Sequence, residues 1–435
     1  MNRTEIVAKH QEFLFPSVST FYAEPLPLTR GEGQFIWDVD GKRYLDFFGG
    51  IVTIGIGHCH PKVTAKIAQQ VRTLQHASTF FPHEATVLLA EKMAEISPGT
   101  LSKTYFTNSG TEAVETAVLL ARLHTGRTEI IALRHGYSGR SQTAMSLTAH
   151  SNWRLTPVTD SGVVHAHNAY CYRCAFEKTY PECNLLCARD IEELIKTATS
   201  GKVAAFIAEP IQGVGGFVTP PKEYFLEISS IIRANGGLII SDEVQTGFGR
   251  TGDHWFGIEH WGIEPDIITC AKAMANGTPV GATVTTPEIA AAIKGPQIST
   301  FGGNPVTAVA ALATIEVIEE EGLLANAAAR GSELAKGLSQ LKTTHAIVGD
   351  VRGKGLMQAI ELINDPESNE PSPLAMNALL EETREHGLLI GKGGLFGNTV
   401  RLSPPLNIDK ADVDAAIDIL DRSLSAVGKT IPASA

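Results

Sequence analysis

Three ionisable residues each close an apolar run: Glu209 after "VAAFIA", Asp242 after "GGLIIS" and Lys272 after "DIITCA". Charged side chains are rarely buried without partners, and isolated ones there are costly. A lysine kept out of water has a lowered pKa and becomes a nucleophile, and the same amine can then move a proton. A fourth stretch, "TNSGTEAVE", places Ser109, Gly110 and Thr111 just before a helical pattern. Helix N-termini offer unpaired N–H groups and a dipole that favours phosphate. The competing reading is an ordinary N-cap at Ser109 or Thr111, with Glu112 in the first turn. A fifth, "CYRCAFEKTYPECNLLC", spaces Cys171, Cys174, Cys183 and Cys187 as C-x2-C-x8-C-x3-C. Four thiolates so spaced can hold zinc tetrahedrally. The alternative is an uncoordinated or redox-sensitive loop.

Elements of two kinds must position these groups. "KVAAFIAEP", "GGLIISDEV" and "PDIITCA" are short, nearly unbroken apolar runs, as buried parallel strands are. Helical stretches such as "PKEYFLEISSIIRANG" separate them. The helix "TEAVETAVLLARLHTG" ends at Gly126, a C-cap. The pattern predicts an α/β unit whose sheet is mostly parallel, with ligands beyond the carboxyl ends of its strands. "GQFIWDVDGKRYLDF" reads as a hairpin turning at Asp40-Gly41. A helix over 305–321 carries the chain onward, and the last hundred or so residues mix helices with "MQAIEL" and "TVRLSP" strands. The expected division is an N-terminal segment, 1–70, contributing to a small lobe, a large domain over 71–325, and a C-terminal α+β domain over 326–435.

The 435 residues suffice for two or three domains, and 43% apolar with 19% charged is an ordinary globular balance. A net charge of −11, with no Lys/Arg-rich run, argues against nucleic acid as a partner. No apolar run reaches the roughly 18 residues of a membrane span. The start lacks a secretory pattern and the six cysteines are sparse, so a cytoplasmic location is expected.

Taken in order, "FTNSGTEAVETAVLLAR", "AEPIQGVGG", "SDEVQTGFGRTG", "DIITCAKAMANGTPVGA", "TFGGNP" and "VRLSPPL" resemble the class III (subgroup II) pyridoxal-phosphate aminotransferases of fold type I. The likeness covers nearly the full length and is greatest to the alanine–glyoxylate aminotransferase 2 and 4-aminobutyrate aminotransferase group. It implies a large domain with a mostly parallel sheet and a smaller domain formed by both chain ends. It implies that Lys272 carries pyridoxal phosphate, that Asp242 partners the pyridine nitrogen, and that Gln245 bonds the phenolic oxygen. Glu209 resembles a carboxylate supporting that side. Ser109, Gly110 and Thr111 match the phosphate cup, and Tyr137 a ring stacked on the cofactor. Thr300 resembles the phosphate ligand that the family supplies from a neighbouring subunit, which implies a homodimer with shared active sites, or a tetramer built from one.

Arg401 matches the family's carboxylate-binding arginine. Members specialised for ω-amino acids mask it with a glutamate where this chain has Val214. Arg140 matches a position that binds a distal carboxylate, and Tyr22, Ile51 and Phe80 match pocket-lining positions. The sequence departs from the family at Ser138, where a histidine is usual, and His135 upstream reads as a surface residue. The expected reaction moves an amino group from alanine or a small ω-amino acid to glyoxylate or pyruvate. The alternatives are 4-aminobutyrate, β-alanine, acetylornithine-like or amine transamination with pyruvate or 2-oxoglutarate, an aminomutase, and a non-catalytic binding protein.

Overall fold

The computed structural model describes residues 1–157 and 162–430. At its centre is a seven-stranded sheet in the order Lys103–Thr107, Gly281–Thr285, Ile267–Cys270, Leu238–Asp242, Ala205–Ala208, Ile130–Leu133, Val163–Ala166. The last five run parallel, and Gly281–Thr285 is antiparallel to both its neighbours. Every residue of Ile130–Leu133, Ala205–Ala208 and Ile267–Cys270 is buried. Helices cover both faces of this sheet, which explains the unbroken apolar runs.

Helix Gly110–Thr125 is capped by Ser109, whose side chain accepts the Glu112 N–H, and it ends at left-handed Gly126. Helix Pro305–Glu320 stops one residue short of the expected 321. Gly322, at φ +63°, breaks the chain before Leu323–Thr344. The expected hairpin pairs Phe35–Asp38 with Arg43–Asp46. Asp38 Oδ1 accepts the N–H groups of Asp40 and Lys42 at 3.0 and 2.9 Å, and Gly41 takes φ +86° to close the turn.

Two further sheets flank this core. Leu28–Glu32, Phe35–Asp38 and Arg43–Asp46 are joined by Leu388–Leu389 from the far end of the chain. Val348–Lys354, Met357–Leu362, Thr399–Leu402 and Gly391–Gly393 form an antiparallel sheet. Arg250, fully buried, fastens three segments: its guanidinium donates to the carbonyls of Leu356 at 3.1 Å, of Ile54 at 3.5 Å, and of Pro404. Burial without a carboxylate partner lowers its pKa to about 9.

Candidate active site

The carboxyl ends of the adjacent strands Ala205–Ala208, Leu238–Asp242 and Ile267–Cys270 open into a cleft of about 500 Å³. Glu209, Asp242 and Lys272 all line it. Lys272 begins a short 3-10 turn at φ +49°, a left-handed conformation that costs a non-glycine residue roughly 1–3 kcal/mol. Burial lowers its pKa to about 8, against the opposing pull of Asp242 and Glu209. Asp242 Oδ1 accepts the Val244 N–H at 3.1 Å and the Thr269 hydroxyl at 3.2 Å, and burial still lifts this carboxyl to about 6. Glu209 accepts the Tyr137 N–H at 3.0 Å and the Gly213 N–H at 2.7 Å. Burial, then the charge of Asp242, raises it to about 7. One lysine that sheds its proton easily thus shares the cleft with two carboxyls that hold theirs unusually well, Asp242 closing the middle of the three strands.

Gly110 and Thr111 line the cleft at the N-terminus of their helix. Among the described residues no acceptor meets either backbone N–H. The approach is close: a Cβ on Gly110 would stand 2.9 Å from Val244, and one on Gly139 would stand 2.3 Å from the Thr111 hydroxyl. Ser109 does not line the cleft, because its hydroxyl turns back to cap the helix at 3.3 Å. Tyr137 forms a side wall, edge-on to Trp153 at 5.8 Å, with Ser138 beside it.

Arg401 also lines the cleft, on the inner strand Thr399–Leu402 of the C-terminal sheet, and is 3% exposed. Its Nη2 donates to Gln245 Oε1 at 2.9 Å, and its guanidinium lies 4.8 Å from the Phe217 ring and 5.5 Å from the Phe48 ring. Among the described residues no carboxylate comes within salt-bridge distance of it. Burial lowers its pKa to about 10, which leaves it a cation at neutral pH. Val214 and Ile51 also line the cleft.

Four further expected residues are elsewhere in this chain. Arg140 and Thr300 are exposed and outside the cleft. Phe80 is 67% exposed, beside Phe81 at 69%, ahead of helix Glu84–Ile96. Tyr22 lies under the Arg384 guanidinium at 5.3 Å. His135 is not a surface residue. It sits at φ +65° with its ring edge-on to Tyr170, and burial holds it neutral with a pKa of about 4.

The sequence reading missed Phe21, Phe48 and Trp153, which line the cleft. Phe48 is set by Asp46, whose Oδ1 accepts the N–H groups of Phe48 and Gly49 at 3.0 and 2.9 Å. The available signal was "FFGG": Gly49 and Gly50 both take φ +57°, and Gly391 stays bare because a Cβ there would meet the Phe48 ring at 2.2 Å.

Cys171, Cys174, Cys183 and Cys187 line a separate cavity of about 20 Å³, all as free thiols. Among the described residues no three His, Cys, Asp or Glu side chains converge as metal ligands. Burial and then neighbouring thiols push Cys187 up to about 12, so the protonated form prevails. The zinc expected at these cysteines has no support in this geometry.

The family model for aminotransferase class-III matches residues 19–424. The chain belongs to the class-III aminotransferases. This aminotransferase is 43% identical over 421 residues to alanine–glyoxylate aminotransferase 2 homolog 2, mitochondrial, of Arabidopsis thaliana, covering 97% of this chain and 87% of that protein. It is 38% identical over 440 residues to alanine–glyoxylate aminotransferase 2, mitochondrial, of Homo sapiens, covering 96% and 85%. Its fold is similar to that of an amine transaminase from an uncultivated Pseudomonas species in a PLP-bound form. There the TM-score is 0.88 at 32% identity, covering 95% of this chain and 98% of that one. The aminotransferase uses pyridoxal phosphate and has the mixed, mainly parallel sheet of fold type I.

Proposed function

We propose that this aminotransferase moves an amino group from alanine or a small ω-amino acid to glyoxylate or pyruvate, in two half-reactions. One observation carries the choice. Arg401 is a buried cation held by an amide rather than a carboxylate, with Val214 where a masking acid would stand. Such a guanidinium recognises a substrate carboxylate through paired N–H donors. The names of the two relatives support the same substrates.

The cleft suits pyridoxal phosphate, which when bound supplies an electron sink for the charge left at the substrate α-carbon. The bare N–H groups of Gly110 and Thr111 are the seat for its phosphate. Asp242 is the partner for its ring nitrogen, Tyr137 flanks the ring and Gln245 offers an amide beside it. Lys272 holds the cofactor and, once displaced by the donor, takes the proton from the substrate α-carbon. A pKa near 8 leaves an appreciable fraction of the amine free to do so. Glu209 sets Tyr137 and the Gly213 turn against the cleft. Arg401 orients the substrate by its carboxylate, and Ile51 closes the apolar side.

A second reading, transamination of amines without a carboxylate, draws on the aromatic walls Phe21, Phe48 and Trp153. Arg140 is exposed and outside the cleft, so it is not placed to bind a distal carboxylate there. We also propose a homodimer, or a tetramer built from it. Phe80, Phe81, Ile298 and Phe301 are each more than half exposed, and the Phe301 ring lies 5.4 Å from that of His76. Thr300 serves the shared site from this region. A cytoplasmic location is proposed from the sparse cysteines. The test is a panel of amino donors against glyoxylate, pyruvate and 2-oxoglutarate. Turnover limited to 2-oxoglutarate would overturn the proposed acceptors.

A further inference from the structure

Arg401 Nη2 donates to Gln245 Oε1 at 2.9 Å. A guanidinium carries donors only, so this contact forces the carboxamide oxygen toward Arg401 and the nitrogen away from it. Gln245 lines the cleft, and among the described residues no acceptor meets its Nε2. The carboxamide also lies against Gly213, where a Cβ would stand 2.1 Å from Nε2 and 2.4 Å from Oε1. Gly213 is itself tied by its N–H to Glu209 at 2.7 Å. Gly213 thus closes one side of the amide and the cleft lies on another, and Arg401 decides which end of the amide faces the cleft. Arg401 is equally fixed, between Phe48 and Phe217, with Gly393 so near that a Cβ there would stand 2.5 Å from its Cδ.

We propose that Arg401 is a positioning residue for Gln245: by holding the amide oxygen it presents Nε2 as a hydrogen-bond donor to the phenolic oxygen of the cofactor. A substrate carboxylate that engages Arg401 is thereby felt at the cofactor before any bond changes. The inference rests on the reading that pyridoxal phosphate is carried on Lys272 with that oxygen toward Gln245. A donor at the phenolic oxygen withdraws electron density and makes the neighbouring lysine–cofactor nitrogen less basic. Losing the donor raises the pH at which that nitrogen titrates.

The experiment is a pH titration of the visible band of the holoenzyme, reconstituted with pyridoxal phosphate, in a double-mutant cycle. Gln245→Ala is expected to raise the midpoint by roughly one pH unit, the size of one hydrogen bond to a charged group. Arg401→Leu is expected to raise it in the wild-type background, and by less than about half as much in the Gln245→Ala background. Arg401→Lys keeps a donor and a charge, and should restore most of the wild-type midpoint. An equal Arg401→Leu shift in both backgrounds would mean a charge acting through space, and would overturn the inference. So would a Gln245→Ala midpoint equal to wild type. A protein that develops no visible band with the cofactor overturns this inference together with the reading beneath it.

Discussion

The backbone N–H of Gly394 donates to the carbonyl of Val214 at 2.9 Å, fastening the edge of the C-terminal sheet to the "QGVGG" turn that follows strand Ala205–Ala208. The join lies beside Arg401, since a Cβ on the adjacent Gly393 would meet both Arg401 Cδ and the Val214 carbonyl. Residue 214 is thus placed to tune the arginine. Val214→Glu is expected to pair with Arg401 and raise KM for pyruvate and glyoxylate about tenfold, near 1.4 kcal/mol, with a smaller effect on amine donors. Steady-state kinetics with both acceptors check this; unchanged KM values would mean that the side chain at 214 does not reach the guanidinium.

Lys272 should be the point of covalent attachment. Lys272→Ala is expected to bind the cofactor without a covalent bond and to lose turnover by roughly a thousandfold or more. Borohydride reduction followed by mass spectrometry locates the cofactor, and finding it on another lysine would contradict the assignment.

Glu209 makes stability depend on pH. Its pKa rises on folding from 4.5 to about 7, so the folded state holds the proton more tightly. The sign follows: stability falls as pH rises from about 4.5 through about 7, by at most roughly 3 kcal/mol from this group. Asp242, raised to about 6, adds a loss of the same sign in both proteins compared. Urea unfolding of the cofactor-free protein at about pH 5 and about pH 8 should show a smaller loss for Glu209→Gln than for wild type. Equal losses would show that Glu209 titrates as an ordinary carboxyl.

The exposed Phe80, Phe81 and Phe301 should be covered by a second copy of the chain. Sedimentation is expected to report a dimer or a larger even assembly, and Phe81→Asp to shift it toward monomer with loss of activity. A fully active wild-type monomer would refute the shared site.

The parts of the molecule legible in the sequence were those set by local pattern. Glu209, Asp242 and Lys272 stood out because each follows a run buried on both faces, and the fold places those three strand ends side by side. The N-terminal helix Arg3–Phe13 was not legible by periodicity, because it buries no residue. Its mark was the capping box of Asn2 and Glu5. Phe48 was missed because its place in the cleft depends on the turn at Gly49-Gly50 and on Gly391, more than three hundred positions away, and Phe21 because it packs on Phe48 at 5.3 Å. Arg140 and Phe80 were drawn to the cleft by likeness to family positions, which does not fix where a side chain points. Both face outward in this chain.

The central claim is that Arg401 receives the carboxylate of the acceptor. The direct measurement is kcat/KM for glyoxylate and pyruvate in wild type and in Arg401→Ala, at matched cofactor loading. Removing a buried, charge-assisted partner is expected to cost about 2–5 kcal/mol in transition-state binding for both acceptors. A variant that handles both acceptors as well as wild type would show that Arg401 is structural and that the carboxylate is bound elsewhere.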